Sequence, residues 1–311
     1  MPLVLPRSYR FLSTFDRRGI RWAPRHAPPA GRPVLRVGIV NLMPRAELYE
    51  ELLLSALGAA LPPTLALEPV WIRLDSHDYR SSDAAHLARH YVRAERAASS
   101  SLDALMLTGA PVEELAFEDV RYWRELSGLL TWARQRVSST LGLCWGAMAL
   151  AKLLGVEKQA LPRKLFGMYS LEPLEAGRGY FGENDTYCPQ SRHAGVSEQE
   201  LERAARDGRA RLLARSPEAG HAIFTSGDGR FLMHQGHPEY RPERLLYEYR
   251  RDRALGRRDV GAPLGVDLEQ PERSVRSNGR SFFGAWLHQL ATPQAEKRAS
   301  STEALPRTGV E

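Results

Sequence analysis

Gly142-Leu143-Cys144-Trp145-Gly146 stands where an apolar run, residues 138–143, gives way to helical spacing over residues 145–154. A strand that turns sharply into a helix around one central residue has nucleophile-elbow spacing, and the central residue here is a cysteine. Glycine is needed on both sides because the turn brings backbone against backbone, where a Cβ atom would clash. These five residues therefore predict a strand–turn–helix unit of an α/β sheet.

The rest of the chain repeats this alternation of strands and helices. Short apolar runs predict strands over residues 34–42, 70–74, 104–108 and 138–143. Amphipathic stretches predict helices over residues 46–57, 84–98, 117–136, 145–154, 242–253 and 282–290. Such alternation predicts a mostly parallel central sheet with helices on both faces. Residues 211–214, 222–225 and 231–234, with the turn Ser226-Gly227-Asp228-Gly229, add a small antiparallel element near the C-terminal half.

The positive charge is confined to the N-terminal segment. The 311 residues carry a net charge of +6. Residues 1–35 hold seven arginines and a single acid, Asp16, so the rest of the chain is neutral. We predict three parts: a basic N-terminal arm over residues 1–33, a single α/β domain over 34–291, and a disordered tail over 292–311. The arm is interpreted as a solvated or subunit-wrapping segment, which makes a homodimer the expected assembly.

Composition excludes several classes of protein. Hydrophobic residues make up 43% of the chain and charged residues 26%, which is typical of a globular domain. No apolar run approaches the roughly 18 residues of a membrane span, and the prolines near the N-terminus do not suit a signal peptide. Two cysteines cannot build a secreted disulfide framework. We expect a cytoplasmic protein without a membrane or nucleic-acid partner, because no nucleic-acid motif accompanies the basic arm.

Cys144 is the candidate nucleophile. An elbow lifts its side chain above the sheet, and the N-terminus of the following helix favours a thiolate. The backbone amide of Trp145 would then point toward a reacting carbonyl as one oxyanion donor. A lone cysteine is more often a small buried hydrophobe, but the elbow spacing favours catalysis here.

His237 is the candidate base, with Glu239 as the residue that orients it. In an extended segment, residues two apart share a face, so Glu239 can fix the imidazole tautomer and stabilise the imidazolium. His234 competes for the role but has no acid two residues further on, and Cys188 has no elbow around it. No metal-ligand spacing and no glycine-rich phosphate loop occurs, so no metal and no permanently bound cofactor are expected.

Five motifs, in order, resemble the homoserine O-acyltransferase family of methionine biosynthesis, in its amidotransferase-like type. They are Asn41-Leu42-Met43-Pro44, Thr108-Gly109-Ala110-Pro111, Lys164-Leu165-Phe166-Gly167, Ser191-Arg192-His193 and Gly236-His237-Pro238-Glu239-Tyr240. The resemblance covers about residues 34–290. It implies a class I glutamine amidotransferase-like, flavodoxin-like fold. It also implies acyl transfer from an acyl-CoA to the γ-hydroxyl of L-homoserine through an acyl-cysteine.

The resemblance also implies roles for particular residues. Cys144 would be the acylated nucleophile, with His237 and Glu239 completing a triad. Residues at three further positions would contact the amino-acid substrate: Lys164, Ser191 and Arg251. An arginine suits a carboxylate because its guanidinium offers two donors in a fork.

Glu113 is the residue that would choose the acyl donor. In the family, glutamate at this position resembles the acetyl-CoA type and glycine the succinyl-CoA type. Electrostatics support this assignment. A succinyl group would bring a second carboxylate toward Glu113, and two like charges about 4 Å apart, at an effective dielectric near 20, repel by roughly 4 kcal/mol. We therefore expect acetyl-CoA and L-homoserine as the co-substrate and the acceptor.

Some positions depart from the family pattern and keep other interpretations open. Arg45-Ala46 replaces a pair of lysines, Gln190 replaces a histidine, and Ser170-Leu171 replaces Glu-His. A succinyl donor or serine as the acceptor therefore remain alternatives. A glutaminase-like hydrolase shares the elbow and the His-Pro-Glu segment, and a non-enzymatic polyanion-binding protein would use the basic arm.

Overall fold

The elbow strand lies in the middle of a large sheet. The computed structural model describes residues 2–183, 186–257, 260–275 and 277–303, with side chains as far as Ala291. In chain order the strands are β1 (Leu3–Leu5), β2 (Trp22–Pro24), β3 (Val34–Val40), β4 (Ala66–Arg73), β5 (Tyr91–Arg93), β6 (Ala104–Leu107), β7 (Ser139–Leu143), β8 (Lys158–Ser170), β9 (Glu172–Pro173), β10 (Tyr187–Val196), β11 (Ala210–Ser216), β12 (Gly220–Ser226) and β13 (Phe231–His234).

Helices connect most of these strands. They are α1 (Leu12–Arg17), α2 (Ala46–Ala60), α3 (Ala84–His90), α4 (Ala94–Ala98), α5 (Trp123–Arg136), α6 (Trp145–Lys152), α7 (Glu198–Arg206), α8 (Pro242–Ala254) and α9 (Gly279–Glu303). Short 3₁₀ helices span Phe117–Asp119, Glu175–Tyr180 and Pro271–Arg273. Within the part of the chain that the structure describes, no helix is both long and apolar enough to cross a bilayer.

Eleven strands form the main sheet, in the order β2-β1-β4-β3-β6-β7-β13-β12-β11-β9, with β5 paired to β4. All pairs from β2 to β13 are parallel, as is the β4–β5 pair. β12, β11 and β9 extend the sheet in antiparallel fashion. β8 and β10 pair separately as an antiparallel ribbon, which has a register shift between Arg192 and Ala194.

Two cores lie on opposite faces of the sheet. Val37 and Ile39 of β3 pack in one core with side chains of α2 and α9, whereas Val40 packs in the other core with α5 and α6. This alternation follows from the two-residue period of a strand. Helices therefore cover both faces, and the predicted fold class, a mostly parallel α/β sheet with a small antiparallel element, is confirmed.

The parallel strands bring their carboxyl ends to one edge. Leu107 at the end of β6 pairs with Gly142, and Leu143 at the end of β7 pairs with His234 at the end of β13. Ligands of open α/β sheets bind outside this edge. The elbow and the His-Pro-Glu segment are therefore neighbours although they lie far apart in the chain.

The N-terminal segment is not the solvated arm that its composition predicts. β1 is buried and pairs with β2 and β4 in the main sheet. Phe15 is fully buried in the core beside α2, and Arg18 reaches Glu51 and Ser55 of that helix. Apolar residues between the arginines decide this placement, because burying the side chains of β1 and Phe15 removes apolar surface from water. The argument for a homodimer from a wrapping arm therefore loses its support.

Two other predictions differ from the structure. The helix predicted over residues 84–98 is interrupted by β5, which pairs with β4 over Tyr91–Arg93. The tail predicted as disordered over residues 292–311 is helical as far as Glu303 in α9, and residues 304–311 lie outside the described residues. At Tyr91–Arg93, pairing with β4 outweighs the local helical pattern.

Phe15→Ala tests the placement of the N-terminal segment. Removing a fully buried phenylalanine should lower the free energy of unfolding by about 3–5 kcal/mol, measured by urea denaturation. Arg21→Ala, at an exposed position of the same segment, is the matched control and should change it by less than about 0.5 kcal/mol. Equal, small effects of the two substitutions would mean that the segment is solvated.

Candidate active site

Cys144 occupies a strained turn between β7 and α6. Its φ of 52° and ψ of −115° are unusual for a residue with a side chain. A Cβ atom at Gly142 would lie 2.5 Å from the carbonyl oxygen of Gly146, and one at Gly146 would lie 2.5 Å from that of Leu107. Both glycines are therefore required by the close approach of backbone segments, as the elbow spacing predicts.

The structure brings together the three residues that the sequence predicts as a triad. His237 Nδ1 lies 2.8 Å from Glu239 Oε1. Gly109, two residues beyond the end of β6, lies beside both Cys144 and His237. A Cβ atom there would lie 3.4 Å from Cys144 Cβ and 3.5 Å from His237 Cε1. All three side chains are buried, with between 2% and 4% of their surface exposed. The sulfur and the imidazole therefore share one small space at the sheet edge.

The charges of this group favour an ion pair. Burial by itself lowers the pKa of His237, but the Cys144 thiolate and the Glu239 carboxylate outweigh burial and raise that pKa well above 6.5. Because the Nδ1–H donates a hydrogen bond to Glu239 Oε1 and keeps its proton, Nε2 is the nitrogen that can exchange a proton with the sulfur. The geometry thus suits a thiolate–imidazolium pair held by a carboxylate.

The rival residues have different surroundings. His234 Nδ1 accepts a hydrogen bond from the Gly236 amide at 3.0 Å, and His234 Nε2 faces Cys188 Sγ at 3.7 Å. Burial lowers the pKa of His234 to about 3, so this ring stays neutral. Burial also raises the pKa of Cys188 well above 9, which keeps its thiol protonated.

The three residues predicted to contact the amino acid converge on α8. Lys164 Nζ lies 3.1 Å from Asp252 Oδ2, and Arg251 pairs with the same carboxylate at 2.7 Å. Ser191 donates to Glu248 Oε2 at 2.7 Å. Glu248 and Asp252 are one helical turn apart and both are buried, so each cation or hydroxyl already has an acidic partner.

Glu113 is close enough to both His237 and Lys164 for their charges to act on its carboxylate. Its carboxylate accepts the backbone N–H of His193 at 2.8 Å. Burial raises the pKa of Glu113, and the His193 N–H together with the nearby charges of His237 and Lys164 opposes this rise. The residue predicted to choose the acyl donor is thus close enough to the candidate base to feel its charge.

The amide of Trp145 is the first of α6 and has no acceptor within the helix. Its role as an oxyanion donor stays a prediction. The indole ring itself is fully buried against Phe117 and Tyr122, which is a packing role. Among the described residues, no group of three or more His, Cys, Asp or Glu side chains could hold a metal ion.

Sequence reasoning missed two residues that contact the triad. Tyr49 of α2 donates to Glu239 Oε1 at 2.7 Å. The ring of Tyr240 stacks on His237, with centroids 4.1 Å apart and planes 15° apart. Tyr240 follows the His-Pro-Glu segment directly and could have been suspected. Nothing in the sequence around Tyr49 distinguishes it from a core residue.

A family model and individual relatives of this chain both name homoserine O-acyltransferases. Residues 2–295 match the family described as homoserine O-succinyltransferase (HTS). A homoserine O-acetyltransferase of Brevibacillus brevis is 35% identical over 82% of this chain and 83% of its own length. A homoserine O-acetyltransferase of Jannaschia sp. is 32% identical over 93% of this chain and 94% of its own length.

Solved structures of other proteins share the fold. A protein from Thermoplasma acidophilum that is named as a GMP synthase subunit has a TM-score of 0.51 at 14% identity, covering 85% of this chain and 98% of that one. A glutamine amidotransferase from Thermotoga maritima has a TM-score of 0.50 at 15% identity, covering 82% and 98%. At this identity the likeness concerns the fold alone.

Selective alkylation tests the ion pair. The pKa of His237 lies well above 6.5, so its imidazolium should be present at pH 7 and activate the neighbouring Cys144 sulfur, whereas burial raises the pKa of Cys188 and keeps it protonated. Iodoacetamide at pH 7 should therefore add once, at Cys144, as read by intact-mass and peptide mass spectrometry. His237→Gln should slow this reaction by about tenfold or more. Modification of both cysteines at equal rates, or no effect of His237→Gln, would contradict the pairing.

Proposed function

Because the chain belongs to the homoserine O-succinyltransferase family, we propose that it transfers an acetyl group from acetyl-CoA to the side-chain hydroxyl of L-homoserine. The proposal is carried by the buried Cys144, His237 and Glu239 at a nucleophile elbow. Support for the reaction class comes from relatives whose names state homoserine O-acetyltransferase. The resulting O-acylated amino acid would enter methionine biosynthesis.

In the first half-reaction, Cys144 attacks the thioester carbonyl of acetyl-CoA. A C–S bond forms, and the carbonyl oxygen takes the negative charge, which the Trp145 amide would stabilise. Collapse of this intermediate breaks the bond to CoA sulfur. The leaving thiolate takes the proton of the His237 imidazolium and departs as CoA, leaving acetyl-Cys144 and a neutral imidazole.

In the second half-reaction, neutral His237 removes the proton of the homoserine hydroxyl as its oxygen attacks acetyl-Cys144. The new C–O ester bond forms, and the C–S bond to Cys144 breaks. The thiolate and the imidazolium are then restored for another cycle. Glu239 stabilises the imidazolium in both halves without itself accepting the proton.

Glu113 supports acetyl rather than succinyl as the transferred group. Its carboxylate is held by the His193 N–H and lies within the electrostatic reach of His237. A succinyl group would bring a second carboxylate toward it, and the repulsion of about 4 kcal/mol expected for two charges about 4 Å apart would disfavour that donor.

Lys164, Ser191 and Arg251 would bind the amino-acid part of the acceptor. Two cations beside each other suit the substrate carboxylate, and Arg251 is 44% exposed and able to change partner. Glu248 and Asp252 keep the local charge balanced before an amino acid binds. This arrangement supports a zwitterionic amino acid with a terminal hydroxyl as the acceptor.

Acylation of the protein by acetyl-CoA alone tests the mechanism. Intact-mass spectrometry should show one acetyl adduct on the Cys144 peptide, and L-homoserine should remove it more effectively than L-serine. Cys188→Ser is the matched control and should retain the adduct, whereas Cys144→Ser should form no thioester. Turnover without any adduct would contradict the acyl-cysteine, and the absence of turnover with either acyl-CoA would contradict the proposed function.

Glu113→Gly tests the choice of donor. Removing the carboxylate should raise the ratio of kcat/KM for succinyl-CoA to that for acetyl-CoA by about tenfold or more, since half of the repulsion suffices for this. Glu114→Gly changes an exposed neighbouring glutamate and should leave the ratio unchanged. An unchanged ratio in Glu113→Gly would mean that this carboxylate does not face the transferred acyl group.

A further inference from the structure

Glu239 makes both of its hydrogen bonds through one oxygen. Oε1 accepts from His237 Nδ1 at 2.8 Å and from the Tyr49 hydroxyl at 2.7 Å. Oε2 is buried and has no hydrogen-bond partner among the described residues. The orientation of this carboxylate therefore depends on two donors, one from the base and one from α2.

Tyr49 is well placed to act as a fixed donor. Its side chain is 3% exposed and lies in the core that α2 forms with the sheet. Burial and the neighbouring Glu239 raise the pKa of Tyr49 well above 10, so its hydroxyl keeps its proton and donates throughout the working pH range. The start of α2 is itself held, because Asn41 Nδ2 donates to the Ala46 carbonyl at 3.0 Å.

We propose that Tyr49 is a positioning residue for the triad: its hydroxyl holds Glu239 so that Oε1 stays directed at His237 Nδ1. A carboxylate at the end of a glutamate rotates easily, since its terminal torsion has a broad profile. Because Oε2 has no hydrogen-bond partner among the described residues, losing the Tyr49 hydroxyl would leave the carboxylate held by His237 Nδ1 alone. The imidazolium would then lose part of its stabilisation, and the Cys144 thiolate would form only at higher pH.

Other groups around the pair also influence its charge and have to stay unchanged in a test. The titratable groups that act on Glu239 or His237 are Tyr49 of α2, Glu113, Cys144, Cys188 of β10, His234 of β13 and Tyr240. Among them, Tyr49 is the one whose hydroxyl hydrogen-bonds the carboxylate. Substitution by phenylalanine removes that donor and keeps the ring.

The chain contains a matched control for this substitution. Glu50, the next residue of α2, is also fully buried and accepts a hydrogen bond from the hydroxyl of Tyr9. Tyr9 is buried to a similar extent as Tyr49 and donates to a carboxylate of the same helix. Its partner Glu50 hydrogen-bonds His86 and Tyr91 rather than the triad. Tyr9→Phe therefore reproduces the structural cost without touching Glu239.

The experiment compares Tyr49→Phe with Tyr9→Phe in the full chain. The rate of Cys144 alkylation by iodoacetamide is followed against pH, and thermal unfolding is recorded for both variants. In Tyr49→Phe the pH midpoint of alkylation should move up by about one unit, and in Tyr9→Phe it should match the unsubstituted protein. A midpoint in Tyr49→Phe that is unchanged or lower would overturn the proposal, whatever the change in thermal stability.

Steady-state kinetics provide a second readout, which rests on the proposed function. With acetyl-CoA and L-homoserine, Tyr49→Phe should lower kcat by about tenfold while both KM values stay close to those of the unsubstituted protein. Loss of affinity with unchanged kcat would contradict a positioning role. If the protein had no acyltransferase activity, the alkylation profile would still decide on Tyr49, so the two failures can be told apart.

Discussion

The close approach of three backbone segments at the end of β7 is the constraint on which the site depends. Gly142, Gly146 and the carbonyl of Leu107 are packed so tightly that a methyl group at either glycine would overlap a carbonyl oxygen. This contact forces Cys144 into its positive φ and lifts its sulfur above the sheet. Backbone strain of this kind persists only where the surrounding structure holds the residue in place. Here the two cores, one on each face of the sheet, hold β7 and α6.

Parallel topology then assembles the remaining groups. β13 lies next to β7 in the sheet, although several other elements separate them in the chain. The His-Pro-Glu segment, which follows β13, therefore lies beside the elbow. α2, which follows β3, brings Tyr49 to Glu239, and the segment after β6 places Gly109 beside Cys144 and His237. The ends of β3, β6, β7 and β13 thus contribute to one small volume, and the segments that meet there are distant in sequence.

Burial makes the charges in that volume strongly interdependent. Burying a carboxylate or a thiolate raises the free energy of the folded state unless a cation or a hydrogen-bond donor accompanies it. The His237 imidazolium serves as cation and donor for both Cys144 and Glu239. Arg192 adds a second buried cation: it donates to Gln190, Ala194 and Ala219 and has no carboxylate among these partners. Burial lowers the pKa of Arg192, and the negative charge at Cys144 opposes this change. The ribbon of β8 and β10 therefore contributes to the electrostatics of the site as well as to its walls.

The amino-acid sequence alone determined the elbow, the partnership of His237 with Glu239 and the α/β class, because each follows from short-range spacing: glycines two residues from a cysteine, an acid two residues from a histidine, and alternating apolar runs. The family resemblance implied by the five motifs is likewise confirmed. Only the tertiary structure decided that Tyr49 reaches Glu239, that Lys164 and Arg251 share Asp252, and that the arginine-rich N-terminus joins the sheet. These contacts join residues that are far apart in the chain, and local spacing in the sequence says nothing about the distance between such residues. The packing of helices against strands brings them together.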